Sequence, residues 1–301
     1  MWTTEKMPDQ TGKSVVITGA NSGIGFETAL ALYKAGANVI LTGRDADAVG
    51  NAAVKIAIAE GSGSVSQGIL DLSSFQSIER FTDRFLAEHQ KLDLLINNAG
   101  VMTPPESKTT EGFEQQFGVN FLGHFMLTAK LFPLLKKVKG ARIVTLSSGA
   151  HHYAKGIDYD NLKIEKGYDA FREYAISKLA DLLFTTGLQK RIDQLGFDLL
   201  SVAAHPGVTK SGLARHMAKA DYDAALEQFG DLMPAWQGAL PSLFAATSAE
   251  VNKGAYYGPD GENELFGYPA PARLSEAASS EKLADELWAF AENRTGLIFP
   301  F

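Results

Sequence analysis

The sequence has no cysteine among its 301 residues. Disulfide bonds, thiolate metal sites and a cysteine nucleophile are therefore excluded. Long apolar runs are also missing: no stretch approaches the ~18 uninterrupted residues of a membrane span. The segment 1–13 is polar and carries no apolar core of a signal peptide. We therefore expect a cytoplasmic protein that has no membrane partner.

Positive charge is scarce as well. Lysine and arginine number 28 against 35 acidic residues, which gives a formal net charge of -7 at pH 7. A chain of this charge is repelled by phosphate backbones, so we expect no nucleic-acid partner. The six histidines form no motif with metal-ligand spacing, so no metal site is expected. After these exclusions, the function class that remains is that of proteins that act on small molecules.

Short apolar runs alternate with stretches of helical periodicity. Strands are predicted at 15–18, 39–42, 65–72, 92–96, 141–147, 198–204 and 254–257. Helices are predicted at 24–35, 46–60, 78–89, 113–138 (with an interruption near Pro133), 171–195 and 275–293. A helix between successive strands is the crossover that parallel strands need. The pattern predicts an α/β protein with a single Rossmann-type, doubly wound parallel sheet and helices on both faces.

The alternation breaks after Pro206, where the chain becomes polar with scattered apolar residues. Because this stretch stands between two predicted sheet elements, we interpret about 212–253 as a substrate lid inserted into one domain that spans 1–301. The apolar residues of the lid suggest a hydrophobic substrate: Leu213, Met217, Leu232, Met233 and Trp236.

A glycine-rich turn joins the first predicted strand to the first predicted helix. Glycine permits the tight turn and lets a pyrophosphate approach the backbone, while the free amides at the helix start favour an anion. A flexible loop would also be rich in glycine, but the strand–loop–helix context favours a dinucleotide site. The candidate contacts are Gly19, Asn21, Ser22, Gly23, Ile24 and Gly25.

The end of the second predicted strand indicates which dinucleotide binds. Sites for NAD usually place an acidic residue there, whereas this chain has Gly43 followed by Arg44. A planar guanidinium suits a ribose 2′-phosphate, so we predict NADP(H) as the cofactor. The alternative is a solvated surface arginine, and Asp45 could partly neutralise its charge.

Tyr174 and Lys178 are four residues apart in a predicted helix, so they share one helix face. A tyrosine is a poor base at neutral pH, but a nearby ammonium favours the phenolate and lowers its pKa. Tyr174 could then exchange a proton with a substrate oxygen. Alone this spacing is weak evidence, because it often arises by chance on an exposed helix face.

Several motifs occur together and in order. Taken jointly they resemble the short-chain dehydrogenase/reductase family over nearly the whole chain, and in detail its retinol-dehydrogenase-like branch. The branch is indicated by Asn120-Phe-Leu-Gly-His-Phe125, Ser147-Ser-Gly-Ala-His151 and His205-Pro-Gly207. The family motifs are Thr18–Gly25, Asn97-Asn-Ala-Gly100, Asn120, Ser147-Ser148, Tyr174–Lys178 and Pro206-Gly207.

The resemblance implies catalytic roles. Tyr174 would be the general acid in reduction and the general base in oxidation. Lys178 would hold the nicotinamide ribose and lower the tyrosine pKa. Ser148 would hydrogen-bond the substrate oxygen, with Ser147 as its rival for this role. Asn120 would hold a water that links Lys178 to solvent.

The resemblance also implies further cofactor contacts. Asp71 and Leu72 would meet the adenine, and the 98–100 segment would pass the adenosine ribose. The 206–209 segment would reach the carboxamide and the diphosphate, with Ser211 as an alternative to Thr209. Asp71 could instead be a turn former or a helix cap. The full set is Asp71, Leu72, Asn98, Ala99, Gly100, Tyr174, Lys178, Pro206, Gly207, Val208 and Thr209.

These observations predict an NADP(H)-dependent oxidoreductase that moves a hydride between nicotinamide and a carbonyl or alcohol carbon of a small molecule. The alternative is a non-catalytic NADP(H)-sensing regulator of the same fold. Light-driven protochlorophyllide reduction, which shares the Asn-x-Leu-Gly-His-Phe element, typically uses a cysteine that this chain lacks. The resemblance makes a homodimer plausible, paired through the helices that carry Asn120 and Tyr174.

Overall fold

The computed structural model describes residues 1–210 and 232–301. Within them, eight strands form one sheet in the order β3-β2-β1-β4-β5-β6-β7-β8. The pairs from β3 to β7 are parallel, and β8 lies antiparallel to β7. The strands are β1 (Ser14–Thr18), β2 (Asn38–Gly43), β3 (Ser64–Ile69), β4 (Leu94–Asn97), β5 (Ala141–Leu146), β6 (Leu199–Ala204), β7 (Tyr256–Pro259) and β8 (Pro269–Pro271).

The central strands are mostly apolar and largely buried, as expected for a parallel sheet covered on both faces. Every residue of β1 and of β4 is buried, whereas β3 at the edge is mostly exposed or half-buried. The edge strand is accordingly rich in serine and glutamine and poor in large apolar residues.

Helices cover both faces of the sheet. On one face α3, α4, α5 and α8 pack in a core rich in phenylalanine, and on the other face α1, α2 and α7 pack in a second core. This arrangement confirms the predicted doubly wound sheet. The helices in the described residues are α1 (Gly23–Lys34), α2 (Ala46–Ala57), α3 (Phe75–Glu88), α4 (Gly123–Leu135), α5 (Ala170–Leu195), α6 (Ala235–Gly238), α7 (Leu240–Thr247) and α8 (Glu281–Thr295).

The long predicted helix at 113–138 differs in detail. A π-helical turn, Phe117–Leu122, precedes α4, and α4 continues through Pro133 to Leu135 without interruption. The stretch Phe117–Leu135 is long and apolar enough to cross a membrane by composition, but 89% of its most apolar window is buried inside the protein. Its apolar character therefore matches its place in the core.

The predicted lid at 212–253 extends too far at its C-terminal end. Helix α7 belongs to the second core, because Leu240, Leu243 and Phe244 are buried beneath the sheet. Leu213 and Met217 lie outside the described residues, as does Ser211. The lid stays a prediction for that segment.

Candidate active site

The cleft lies at β1, where the order in which strands are added to the sheet reverses. Strand β1 pairs with β2 on one side and with β4 on the other, so successive crossovers leave in opposite directions at this point. A crevice at the carboxyl ends of such strands is the usual ligand site of an open α/β sheet. The cleft here has a volume of about 610 Å³, within the usual range for small-molecule sites.

The cleft collects the predicted cofactor residues from five connecting segments. Ser148, Tyr174 and Lys178 also line it, whereas Asn120 does not. The predicted cofactor residues along its wall are Gly19, Asn21, Ser22, Gly23, Ile24, Gly25, Arg44, Asp71, Leu72, Asn98, Ala99, Gly100, Tyr174, Lys178, Pro206, Gly207, Val208 and Thr209.

The glycine-rich turn needs its glycines for two different reasons. Gly19 has a φ of +64°, which side chains disfavour. Gly25 has no room: a Cβ there would lie 2.4 Å from Asn98 Nδ2 and 2.6 Å from the Gly19 carbonyl oxygen. The helix start can therefore sit directly against the 98–100 segment.

Helix α1 begins at the cleft with its N-terminal amides available for an anion. Ser22 occupies the N-cap position in extended backbone, but its side chain makes no capping hydrogen bond. The first-turn N–H groups and the helix dipole therefore favour a negatively charged ligand here. The residues present fit a dinucleotide diphosphate.

Arg44 lies at the end of β2, exposed and on the cleft wall. The Asp45 carboxylate accepts a hydrogen bond from Ala48 N at 3.0 Å and caps α2. Across the described chain, no carboxylate lies within ion-pairing distance of Arg44. Gly43 is tightly placed, since a Cβ there would be 2.9 Å from Val49 Cγ2. The guanidinium is thus left free beside the α2 N-terminus.

Asp71 has a turn-forming role as well as a place on the cleft. Its Oδ1 accepts hydrogen bonds from Ser73 N at 2.9 Å and Ser73 Oγ at 2.7 Å. Asn98 likewise bonds the backbone, because its Nδ2 donates to the Thr18 carbonyl oxygen at 2.7 Å. Both side chains therefore fix the segments that they belong to while lining the cleft.

Tyr174 and Lys178 face the cleft from one turn of α5, and both side chains are buried. The Lys178 ammonium lies 5.8 Å from the centroid of the Tyr174 ring. It donates hydrogen bonds to the Leu146 carbonyl oxygen at 2.9 Å and to Asp181 Oδ2 at 2.9 Å. A phenol and a fixed cation thus lie side by side on the cleft wall.

The two serines after β5 have different surroundings. Ser147 is buried and its hydroxyl donates to the Lys178 carbonyl oxygen at 2.8 Å. Ser148 is half-buried, and its Oγ accepts a weak hydrogen bond from Ala150 N at 3.2 Å. The Ser148 hydroxyl hydrogen therefore remains available to a ligand, which favours Ser148 over its neighbour.

Asn120 lies behind the cleft wall, in the π-helical turn. Its Oδ1 accepts from Val101 N at 2.8 Å, and its Nδ2 donates to the Val101 carbonyl oxygen at 3.0 Å and to Ser177 Oγ at 2.9 Å. A Cβ on Gly100 would lie 3.4 Å from Asn120 Oδ1 and 3.9 Å from Lys178 Nζ. Asn120 thus clamps the 98–101 segment against α5.

His124 connects this turn to the phosphate turn. Its Nδ1 lies 2.8 Å from the Asn120 carbonyl oxygen and its Nε2 2.8 Å from Thr18 Oγ1. A carbonyl only accepts, so Nδ1 carries the proton and Thr18 donates to Nε2. Burial lowers the pKa of His124 to about 4, which keeps the ring neutral. Thr18 Oγ1 in turn accepts from Asn98 N and Ala99 N, each at 2.9 Å.

The 206–209 segment is held from outside the cleft. Val208 N donates to the Leu265 carbonyl oxygen at 2.9 Å. His205 Nε2 lies 3.1 Å from Glu264 Oε2, and His205 Nδ1 accepts from Gly207 N at 3.3 Å. The pKa of Glu264 is lowered to about 2, because the hydrogen bonds from His205 and Arg273 outweigh burial. A charged carboxylate therefore anchors this segment.

Sequence reasoning missed Asp181, which lies beside Lys178. Its spacing of three residues puts it on the same helix face as Lys178, but spacing alone does not indicate a buried partner. Leu232, which the sequence predicts as an apolar lid residue, lines the cleft, and so does Thr18 at the start of the glycine-rich motif. Trp236, by contrast, is half exposed and lines a separate depression against the N-terminal segment and α1, so it forms no part of the wall of this cleft.

No group of three or more histidine, aspartate or glutamate side chains in the described parts of the chain is arranged to hold a metal ion. The polar side-chain groups that the cleft presents beside the glycine-rich turn include the Tyr174 phenol, the Lys178 ammonium and the Ser148 hydroxyl.

Comparisons with known proteins agree with this geometry. A family model described as short chain dehydrogenase matches residues 13–221. Retinol dehydrogenase 11 from Homo sapiens is 42% identical over 288 residues, which cover 95% of this chain and 86% of that protein. A crystal structure of an uncharacterised Mycobacterium paratuberculosis protein is 36% identical with a TM-score of 0.82, covering 100% of this chain and 99% of the other.

A more distant structure, from Beutenbergia cavernae, is described as that of a putative NAD(P)-dependent gluconate 5-dehydrogenase with NADP bound at low occupancy. It is 25% identical to this chain, with a TM-score of 0.67. The match covers 83% of this chain and 96% of that one.

Proposed function

The chain belongs to the short-chain dehydrogenase family, and from that premise we propose that it is an NADP(H)-dependent oxidoreductase acting on a hydrophobic carbonyl or alcohol. As a member of this family, with retinol dehydrogenases among its relatives, it is an oxidoreductase that acts on a CH–OH group. The cofactor preference, the proton donor and the substrate class are the proposed parts.

The observation that carries the proposal is the placement of Tyr174 and Lys178 in the same cleft as the glycine-rich turn. A bound nicotinamide dinucleotide supplies the hydride in reduction and accepts it in oxidation. Tyr174 donates a proton to the carbonyl oxygen in reduction and takes it back in oxidation. The Lys178 cation stabilises the phenolate that remains, because opposite charges at this separation favour the charged form.

Ser148 orients the substrate in this scheme. Its free hydroxyl hydrogen donates to the reacting oxygen and stabilises the negative charge that develops there. Asn120 keeps the 98–101 segment in place beside Lys178 through its hydrogen bonds to Val101 and Ser177, and the water relay that the resemblance implies for it stays a prediction. These roles separate the group that titrates from the groups that position the substrate.

Arg44 supports NADP(H) as the cofactor. Its guanidinium is exposed on the cleft wall, and Asp45 is occupied as the α2 cap. Guanidinium forms strong paired hydrogen bonds with phosphate oxygens. The relative from Beutenbergia cavernae is described with bound NADP, which agrees with this preference.

A hydrophobic substrate is favoured by the apolar side chains on the cleft wall. Val101, Met102, Val119 and Leu232 are among the residues that line it. Several relatives are named retinol dehydrogenases, which suits an apolar alcohol or aldehyde. We also propose a cytoplasmic location, to be tested by fractionating cells that express the protein, and a homodimer, to be tested by the mass of the purified protein in solution.

The proposal is tested by Tyr174→Phe with a panel of aldehydes and ketones and with NADPH and NADH in turn. The variant keeps the ring but loses the titrating atom, so turnover should fall by at least ~10²-fold, a usual lower contribution of acid–base catalysis. NADPH binding should persist. Tyr153→Phe is the matched control, because Tyr153 is 74% exposed and outside the cleft.

Near-normal turnover of Tyr174→Phe would contradict the assigned proton donor. NADPH binding by the wild-type protein without turnover of any carbonyl in the panel would instead favour the sensing regulator of the same fold.

A further inference from the structure

We propose that Asp181 is a positioning residue for Lys178. Asp181 holds the Lys178 ammonium in a buried ion pair and offsets part of the positive charge that the ammonium exerts on Tyr174. This inference rests on the proposed function, because it assumes that Lys178 acts on Tyr174. Asp181 lies one helical turn after Lys178 on α5, and the two side chains are 1% and 6% exposed.

The contacts of the ammonium leave one hydrogen for other partners. Two of its three hydrogens go to the Leu146 carbonyl oxygen and to Asp181 Oδ2. The remaining hydrogen is available on the side of Gly100 and Tyr174, where the cleft lies. Asp181 therefore fixes the direction in which Lys178 can act.

Packing alone does not explain a carboxylate at this position. Asp181 Oδ1 is buried and finds no hydrogen-bond partner within the described residues. A buried unsatisfied oxygen destabilises the fold, and a buried ion pair often stabilises it less than apolar residues would. A neutral side chain could accept the same hydrogen bond from Lys178. The negative charge is the property that a neutral residue would not provide.

Among the ionisable groups around Lys178, Asp181 is the one that supplies a negative charge. Burial raises the pKa of the Tyr256 phenol on β7 well above its ordinary value, so Tyr256 stays neutral. His124 on α4 is neutral too, because burial lowers its pKa to about 4. On α5 the ionisable neighbours are Tyr174 and Asp181. In the described part of the site, Asp181 is the carboxylate that can offset the ammonium.

The pKa of Lys178 shifts in the direction expected of an ion pair, whereas for Asp181 burial outweighs the effect of its partner. Burial would lower the pKa of Lys178, but Asp181 and Tyr174 together raise it above its ordinary value. Burial raises the pKa of Asp181 to about 7, against the opposing effect of Lys178. Above neutral pH the two side chains therefore form an ion pair.

The charge of Asp181 has a definite effect on Tyr174. A negative charge beside the ammonium favours the protonated form of Lys178 and offsets part of the positive charge that acts on Tyr174. With Asp181 in place, Lys178 therefore stays charged and oriented beside the phenol. Removing the carboxylate charge should lower the pKa of Lys178, because Asp181 is one of the groups that raise it.

The first test compares the pH dependence of kcat/KM for carbonyl reduction in the wild type and in Asp181→Asn. The loss of activity at high pH should move to lower pH by about one unit, the smaller end of shifts caused by an adjacent opposite charge. Asp193→Asn is the matched control, because it removes a charge from the same helix at a site that is 43% exposed and paired with Lys253. The control profile should coincide with that of the wild type.

The second test does not depend on activity. Urea unfolding at pH 8 is measured for the wild type, Asp181→Asn, Lys178→Met and the double variant. Lys178→Met leaves the Asp181 carboxyl buried without a cation, so the folded variant must either keep an unpaired charge or take up a proton at pH 8, and its unfolding midpoint should fall most. Adding Asp181→Asn should recover part of that loss, which a double-mutant cycle reports as coupling. If neither single variant folds, recovery of folding in the double variant supports the pair.

The outcomes separate the inference from the proposed function. Additive effects on unfolding, or a double variant that fails to fold, would show that the side chains do not form a pair. Clear coupling with an unshifted pH profile would overturn the effect on Tyr174 and leave the oxidoreductase intact. A protein that turns over no carbonyl while the cycle shows coupling would instead refute the proposed function.

Discussion

Arg44 shows how much the chemistry of the cofactor site depends on one exposed side chain. Its side chain is exposed just before the start of α2, and the Asp45 carboxylate accepts the capping hydrogen bond of that helix. Within the described residues Arg44 forms no ion pair, so its positive charge is available to a ligand. A phosphate at this position would meet both a planar cation and the positive end of a helix.

Arg44→Ala should weaken NADP(H) binding and leave NAD(H) binding almost unchanged. A hydrogen bond to a charged group contributes about 1.5–3 kcal/mol, so the dissociation constant for NADPH should rise roughly 10- to 100-fold. Isothermal titration with both cofactors measures the effect. Arg84→Ala, at a site 77% exposed on α3, is the control. Equal losses for both cofactors would mean that Arg44 supports the fold and does not bind the 2′-phosphate.

Single residues also mark where the sequence was informative and where it was not. Tyr174 and Lys178 could be placed on one face of a helix from their spacing, and the cleft does contain both. Asp181 could not be assigned a partner in advance, because burial depends on how α5 packs against β5. The resemblance already favours Ser148 over Ser147, and the hydrogen bond from the Ser147 hydroxyl to the Lys178 carbonyl oxygen adds a structural reason for that choice.

At the scale of elements, the α1 N-terminus depends on close packing against the 98–100 segment. Gly25 is helical, and its φ is not in the left-handed region, so its conformation would suit alanine. What excludes a side chain is contact: the nearest atoms belong to Asn98 and to the Gly19 backbone. The glycine is therefore needed for packing, and any larger residue must move the helix start.

Gly25→Ala should reduce NADPH binding by at least about tenfold, since moving the helix start shifts its amides away from a bound diphosphate. Overpacking of this kind destabilises a protein by roughly 1–3 kcal/mol, so the thermal midpoint should fall as well. Gly156→Ala is the control, because a Cβ at Gly156 would meet no atom within 4 Å. A Gly25→Ala variant with wild-type affinity would show that the turn can widen without loss of function.

The elements that the sequence did not predict have identifiable physical reasons. Strand β8 reads Pro-Ala-Pro, and proline cannot donate to a sheet, so only its place at an edge makes a strand possible. Helix α7 is buried along its whole length and therefore lacks the amphipathic pattern that reveals a surface helix. The sequence pattern therefore places the apolar residues of α7 within the predicted lid at 212–253. The main sheet was predictable because each buried strand stands out between two helical stretches.

At the scale of the whole molecule, buried ionisable groups couple folding to pH in opposite directions. His124 and His151 have pKa values lowered to about 4, chiefly by burial. Their contribution to stability is present above the ordinary histidine pKa and is lost as the pH falls through about 4. Glu114 acts the other way, because burial raises its pKa to about 7. The pH at which the folded protein is most stable therefore depends on the balance between the buried histidines, which favour higher pH, and Glu114, which favours lower pH.

Glu114 offers the clearest test of this coupling. The residue is fully buried in the loop before the π-helical turn, and its Oε2 accepts a hydrogen bond from Phe117 N at 2.7 Å. Its Oε1 has no partner in the described chain, and the carboxylate of Glu173 opposes its ionisation. A folded-state pKa of about 7 against an ordinary value of 4.5 means that the folded protein holds a proton that the unfolded chain releases. The stabilisation is complete below pH 4.5 and is lost as the pH rises through about 7.

Glu114→Gln removes this titration while its amide oxygen can still accept from Phe117 N. The amide nitrogen adds an unsatisfied donor, but that penalty is the same at every pH. The unfolding free energy of the variant relative to the wild type should therefore rise by about 2–3 kcal/mol between pH 5 and pH 8. Urea unfolding across this interval measures the difference, and Glu88→Gln, at a site 52% exposed on α3, controls for the loss of a charge. A relative stability that stays constant from pH 5 to pH 8 would show that Glu114 is ionised throughout and that the fold tolerates its buried charge.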